Sequence, residues 1–86
     1  MTHTIDQKVA VIAIFNPARG QTWPYKIKWE GRDYQMKTVG LCHPVWEGKT
    51  LHHVFSLSDG ASYFRLDFNT QNLQWVLKEV SDGLPG

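Results

Sequence analysis

Two adjacent pairs of residues carry the side chains best suited to chemistry: Cys42 with His43, and His52 with His53. Thiolates and imidazole nitrogens are the usual ligands of Zn²⁺, which needs three or four of them within ~2.0–2.3 Å. Adjacent residues on a strand point to opposite faces, so each pair can contribute only one ligand, such as His43 with His52. A third ligand would have to be His3 or Asp67. We therefore predict no metal site.

Cys42 could also be a nucleophile if a histidine and a carboxylate lay beside it. Its neighbour His43 points to the opposite face, and Asp67 is expected to pair with His52 instead. A cysteine beside apolar residues such as Leu41 is usually a small hydrophobic residue. No glycine-rich loop precedes a helix to bind phosphate, and no strand carries paired carboxylates. We therefore predict that the protein is not an enzyme and binds no cofactor.

The composition is that of a small folded domain. The 86 residues are 42% hydrophobic and 20% charged, which is enough apolar surface for a core. We expect one domain, residues 1–86, with frayed ends at 1–7 and 81–86. The formal net charge of +1 argues against a strongly basic nucleic-acid-binding domain.

The lengths of the apolar runs and the number of cysteines indicate a cellular compartment. No apolar run approaches the ~18–20 residues of a membrane-spanning helix, and the first residues do not resemble a signal peptide. A single cysteine forms no internal disulfide, which fits a reducing compartment. We expect a cytoplasmic protein with no membrane partner.

Apolar and polar residues alternate with period two along most of the chain, which predicts strands and no convincing helix. The predicted strands are Lys8–Phe15, Trp23–Trp29, Arg32–Cys42, Thr50–Ser58, a segment ending at Phe68, and Leu73–Val80. Because short turns join most of them, we predict an all-β fold, a six-stranded antiparallel meander curled into a small, partly closed barrel. The predicted inward side chains are Val11, Phe15, Tyr25, Ile27, Trp29, Tyr34, Met36, Leu51, Phe55, Leu57, Phe64, Leu66, Phe68, Trp75 and Leu77.

Two glycine-containing dipeptides predict hairpins. A two-residue turn at Glu30-Gly31 pairs Lys28 with Asp33 on the outer face and Ile27 with Tyr34 on the inner face. A two-residue turn at Asp59-Gly60 pairs Ser58 with Ala61, Phe55 with Phe64, and His52 with Asp67. A slip by one residue would expose the whole apolar face, so side-chain pattern and turn support each other.

Four segments resemble a known family: KWEGRDY at 28–34, HVFSLS at 53–58, YFRLDF at 63–68 and WVLKEV at 75–80. They are similar to an uncharacterised family of small bacterial all-β domains, which has a Trp-x-Gly-Arg-x-Tyr hairpin and a later Tyr-Phe-x-Leu-x-Phe strand ending near a Trp. The resemblance covers about residues 9–82. It implies a small all-β fold and a bacterial cytoplasmic setting, and no established activity.

The first predicted strand, KVAVIAIF, has no charged residue between Val9 and Phe15, so it would be an aggregation hazard if exposed. It either lies centrally, covered by the barrel and by a loop that carries Val45 and Trp46, or it pairs with a second copy or another protein. We predict a non-enzymatic binding module, with Trp46 at an exposed loop tip as a typical interface residue. The candidate interface consists of Ala10, Ile12, Ile14 and Trp46.

The alternative function is weak binding of single-stranded nucleic acid by a basic and aromatic sheet face. Residues 1–49 contain seven Lys or Arg against four Asp or Glu, whereas residues 50–86 contain two against four. The first half of the chain could therefore form a basic face. The candidate residues are Lys26, Lys28, Lys37, Tyr63 and Arg65.

Overall fold

Eight antiparallel strands form two sheets in the computed structural model, which describes residues 2–18 and 20–82. The strands are β1 (Thr2–Lys8), β2 (Ala10–Asn16), β3 (Gln21–Trp29), β4 (Arg32–Gln35), β5 (Thr38–Glu47), β6 (Thr50–Ser58), β7 (Ser62–Asn69) and β8 (Gln74–Asp82). The predicted all-β, antiparallel character is confirmed, and those residues include no helix.

The five-stranded sheet has the order β1-β8-β7-β6-β5, and the three-stranded sheet has the order β2-β3-β4. The chain passes from one sheet to the other at Val9 and again at Met36–Lys37. At these two points Val9 N–H donates to the Trp75 carbonyl (3.1 Å) and Lys37 N–H donates to the Ser58 carbonyl (2.8 Å). The predicted six-stranded barrel is therefore wrong: its first and third predicted strands, Lys8–Phe15 and Arg32–Cys42, each contain a change of sheet, and the described strands close no barrel.

The predicted frayed N-terminus, residues 1–7, is wrong from residue 2 onward, because Thr2–Lys8 forms β1 and pairs with β8. This strand is mostly polar, and Ile5 is its one apolar residue that packs against the core. Backbone pairing rather than an apolar face therefore holds it in place. At the other end, β8 extends through Ser81 to Asp82. The rest of the predicted frayed ends, residue 1 and residues 83–86, lies outside the described residues.

The core lies between the two sheets, and all of its buried members belong to the predicted inward set. They are Ile27, Met36, Phe55, Leu57, Phe64, Leu66 and Leu77, each at most 2% exposed. Phe15 was predicted inward as well, but its side chain is 60% exposed. One end of the β2–β3 hairpin, at Val11 and Ile27, therefore packs on the core, and the other end, at Phe15, extends beyond the core.

The predicted Glu30-Gly31 hairpin is confirmed, with Lys28 opposite Asp33 and Ile27 opposite Tyr34. Glu30 and Gly31 both have positive φ, 53° and 75°. Positive φ at both central residues is the geometry of the type I′ turn, whose twist matches that of the flanking strands.

The predicted Asp59-Gly60 register is wrong by two residues, since Ser58 lies opposite Tyr63 and Phe55 lies opposite Leu66. The turn is longer because the Asp59 carboxylate accepts hydrogen bonds from the N–H groups of Ala61 (2.8 Å) and Ser62 (2.7 Å). An aspartate that bonds the following backbone in this way favours an Asx-type turn over a two-residue one. A shift by two residues leaves every side chain on its predicted face.

Candidate protein interface

Each sheet has two edge strands, β1 and β5 in the larger sheet and β2 and β4 in the smaller one. An edge strand presents unpaired N–H and C=O groups that can pair with another chain. Folded proteins block such pairing with short strands, charges, proline or bulges. The four edge strands of this protein differ in these features.

Three of the four edges carry at least one such feature. Strand β4 is only four residues long and begins with two exposed charged residues, Arg32 and Asp33. Strand β1 carries charged residues and a bulge between Thr4 and Gln7. Strand β5 has a bulge at Gly40 and an exposed proline, Pro44.

Strand β2 has none of these features. Its seven residues, AVIAIFN, include no charge and no proline. The register shift beside it pairs Ile12 with Lys26 and Ala13 with Pro24, so the extra residue, Tyr25, belongs to β3 and β2 itself stays regular. No strand within residues 2–18 and 20–82 pairs with the side of β2 that faces away from β3, and we call this side the β2 edge.

The side chains of β2 are apolar and largely exposed. Ile12 is 56% exposed, Ile14 51% and Phe15 60%, whereas Val11 is half-buried against the core. Because side chains alternate along a strand, Ile12 and Ile14 project from one face and Phe15 from the other. Strand β2 beyond Val11 therefore presents apolar side chains on both of its faces.

Trp23 adds an aromatic side chain to the same hairpin. It lies directly opposite Ile14 and is 41% exposed. Trp23 lines two surface hollows. One, of about 580 Å³, lies between the start of β3 and the segment Val39–Cys42 of β5, and the other, of about 590 Å³, is lined by Ile14, Phe15 and Met36. Hollows of this size can accept the side chains of a bound segment.

The structure brings together three of the four predicted interface residues. Ala10, Ile12 and Ile14 are exposed on β2, at the edge of the smaller sheet. The alternative in which this strand lies centrally is therefore wrong. Trp46 is 66% exposed, but it lies within β5 of the larger sheet, opposite Leu51, and not in a loop. The predicted loop begins too early because Pro44 is tolerated in an edge strand.

Phe15 and Trp23 were missing from the predicted interface. Phe15 was left out because alternation placed it inward together with Val11, whereas it lies 60% exposed beyond the core. Trp23 was left out because of the bulge at Tyr25, which turns Pro24 inward, where it is buried, and Trp23 outward. Strict alternation had placed Trp23 on the same face as Tyr25 and Ile27. The proline inside an otherwise regular strand is the one sequence signal for this irregularity.

The candidate nucleic-acid residues are divided between the two sheets. Lys26 and Lys28 lie on β3, and Lys28 is opposite Asp33. Tyr63 and Arg65 lie on β7, where the Arg65 guanidinium is 3.3 Å from the Glu79 carboxylate. Lys37 follows β4 in the connection between the sheets. The structure does not combine these five side chains into one face.

The outer face of the larger sheet carries a row of charged and titratable side chains. His52 Nδ1 is 2.8 Å from the Asp67 carboxylate, so these two side chains do meet, although His52 lies opposite Asn69 and the predicted direct pairing with Asp67 is wrong. The His52 Nε2 is 3.5 Å from the Glu47 carboxylate. Further along, the Lys78 ammonium is 3.0 Å from the Asp6 carboxylate. The hydrogen bond to Asp6 raises the pKa of Lys78. This face is thus polar and internally paired, unlike the outer half of β2.

Cys42 lies half-buried at the hollow beside Trp23. Burial raises the pKa of its thiol, and the side chain of Gln21 opposes that shift only in part. A raised pKa keeps the thiol protonated near neutral pH, and the thiolate is the form that attacks electrophiles or binds metals. Within residues 2–18 and 20–82, no group of three or more His, Cys, Asp or Glu side chains could hold a metal ion.

No protein-family model, curated protein or solved structure matches this chain. The resemblance to small bacterial all-β domains therefore stays a prediction. Among the described residues there is no helix of the length and apolarity needed to cross a membrane.

Proposed function

We propose that this chain is a non-enzymatic binding module that adds an extended segment of a protein partner to the β2 edge. The observation that supports this proposal is the contrast among the four edges. Short length, charge, proline or a bulge interrupts β1, β4 and β5, and none of them interrupts β2. Recognition by strand addition uses backbone hydrogen bonds for affinity and alternate side chains for specificity.

Strand addition at the β2 edge would gain free energy from two sources, backbone hydrogen bonds and apolar cross-strand pairs. Each backbone hydrogen bond contributes about 0.5–1.5 kcal/mol net, and each apolar cross-strand pair about 0.2–1 kcal/mol. Ile12 and Ile14 offer such pairs on one face and Phe15 offers one on the other. A bound segment would therefore be uncharged and rich in β-branched or aromatic residues.

A peptide experiment tests this function. The probe is a fluorescein-labelled peptide with the sequence of residues 9–16, VAVIAIFN, flanked by two lysines at each end. Its fluorescence anisotropy is titrated with protein at concentrations where light scattering gives a monomer mass. We expect binding to the wild type and at least about tenfold weaker binding to Ile12→Lys, because a charge then lies against the bound segment.

Leu73→Lys is the matched control, because Leu73 is 67% exposed and belongs to the turn between β7 and β8 of the larger sheet rather than to β2. This variant should bind the peptide as the wild type does. A scrambled peptide of the same composition should bind neither protein. Equal binding to wild type and Ile12→Lys, or no binding to the wild type, would overturn the proposed function.

A further inference from the structure

The β2 edge matches its own sequence in the antiparallel direction. In a symmetric pair of two copies, the middle residue of the strand lies on the twofold axis, and Ala13 is the middle residue of Ala10–Asn16. Ile12 of each copy then lies opposite Ile14 of the other, and Val11 lies opposite Phe15. In this register all seven residues are paired, and every large apolar side chain meets another.

The neighbouring symmetric registers are worse. With Ile12 on the axis, only five residues of each strand pair, and Ile14 meets the small Ala10. With Ile14 on the axis, five residues pair again, and Ile12 meets the polar Asn16. The full length of β2 is therefore paired only when Ala13 is at the centre.

We infer that the partner segment is β2 of a second copy, so that two chains form a dimer with Ala13 on the twofold axis. This inference rests on the proposed function, because it uses the same edge. It joins the two smaller sheets into one sheet with the order β4-β3-β2-β2-β3-β4.

Charge does not oppose this arrangement. Strand β2 contains no charged residue, and the chain has a formal net charge of only +1. Lys8, the nearest charge before β2, would extend past Asn16 of the second copy rather than face another lysine. Like charges facing each other across an antiparallel pair are destabilising, and this register avoids them.

The dimer also accounts for the exposure of Phe15 and Trp23. Phe15 comes beside Val11 of the second copy, which is half-buried at the margin of that copy's core. Trp23 lies next to Ile14 in its own sheet, and Ile14 lies next to Ile12 of the second copy. The side chains exposed in one chain thus continue apolar rows across the dimer.

The pairing closes on itself. A twofold contact uses the same surface of both subunits, so two chains satisfy it completely. The edges of the combined sheet are then the two β4 strands, which are four residues long and begin with Arg32 and Asp33. The arrangement therefore gives a dimer and not a growing filament.

Cysteine cross-linking tests both the partner and the register. Ala13→Cys and Ala10→Cys are made in a Cys42→Ser background, and each is oxidised with copper phenanthroline and run on a non-reducing gel. Both positions are exposed on β2. Across the proposed axis the two thiols introduced by Ala13→Cys adjoin, whereas the Ala10 positions are six residues apart along the pair. We expect a cross-linked dimer for Ala13→Cys and at least tenfold less for Ala10→Cys.

Light scattering of the full chain from micromolar to millimolar concentration completes the test. We expect the wild type to reach a dimer mass and Ile14→Lys to dimerise at least tenfold more weakly. Equal cross-linking at both positions overturns the register, and a dimer unaffected by Ile14→Lys overturns the interface. A monomer at every concentration that still binds the peptide overturns the second-copy partner and leaves the proposed function. A monomer that binds no peptide overturns both.

Discussion

Strands β2 and β5 are both edges that carry exposed apolar side chains, yet only one of them is open to another strand. Strand β5 carries Trp46, which is 66% exposed, against 60% for Phe15 on β2. However, β5 is interrupted by a bulge at Gly40 and by Pro44, whereas β2 is regular from end to end. An exposed aromatic residue therefore does not by itself mark an interface for strand addition, since the backbone beside it must also be able to pair.

The largest effect is expected from a comparison of two phenylalanines. Phe55 on β6 is 2% exposed, and Phe15 on β2 is 60% exposed. Phe55→Ala should lower the free energy of unfolding by about 3–5 kcal/mol, because it leaves a cavity in the core. Phe15→Ala should change it by less than about 0.5 kcal/mol in the monomer. Urea unfolding at low micromolar protein measures both.

This pair of variants separates stability from binding. Phe15→Ala should keep the monomer stable and still weaken association through β2. If it costs more than about 2 kcal/mol at a protein concentration where the chain is monomeric, Phe15 is a core residue and the β2 edge is shorter than proposed.

An intermediate effect is expected when β5 loses its proline. Pro44→Val restores an N–H group and a strand-forming side chain on that edge. The substitution is made in the Ile12→Lys background, in which association through β2 is blocked, so that any change in self-association comes from β5. We expect self-association to strengthen about fivefold, the equivalent of one backbone hydrogen bond of about 1 kcal/mol. Light scattering against concentration measures it, with Ile12→Lys as the control.

The absence of any gain in self-association would identify a different cause. If Ile12→Lys/Pro44→Val associates no more strongly than Ile12→Lys, proline is not what keeps β5 unpaired. The bulge at Gly40 would then be the remaining difference between the two edges.

Sequence reasoning predicted the fold class, the Glu30-Gly31 hairpin and the seven core residues, because alternation and turn chemistry are local. It missed the changes of sheet at Val9 and at Met36–Lys37. A strand that bends between sheets keeps its apolar period, so the pattern carries no mark of the bend. The polar strand β1 was missed because β8 holds it mainly through the backbone.

The candidate site was predictable to a similar extent. The segment KVAVIAIF is apolar on both faces of a strand, and this pattern identified Ala10, Ile12 and Ile14 without any knowledge of the sheet that the strand joins. Trp46 was added to the same surface only because strand order, which depends on distant pairing, was unknown. Trp23 was left out because the one-residue bulge at Tyr25 moves the preceding side chains of β3 to the face opposite the one that strict alternation predicts.

The smallest effect on stability is expected at the edge strand β1, where the charged residue Asp6 lies in the bulge between Thr4 and Gln7. Asp6 and Lys78 form an ion pair at 3.0 Å, and the Asp6 hydrogen bond raises the pKa of Lys78 above its ordinary value of 10.5. A raised pKa means that protonated Lys78 stabilises the fold. That contribution is complete below about pH 10 and is lost as the pH rises through the raised pKa. Both side chains are substantially exposed, so solvent screening reduces it to a few tenths of a kcal/mol.

Asp6→Asn tests this contribution with little change to the backbone, because Asp6 has a φ of 50° and asparagine accepts that conformation. The variant should be slightly less stable than the wild type at pH 7 to 9, and the difference should disappear as the solution becomes strongly alkaline. Urea unfolding across that pH range measures it, and 0.5 M salt should shrink the difference at pH 7. A difference that persists undiminished at high pH would show that Asp6 acts on the bulge geometry of β1 and not through its charge.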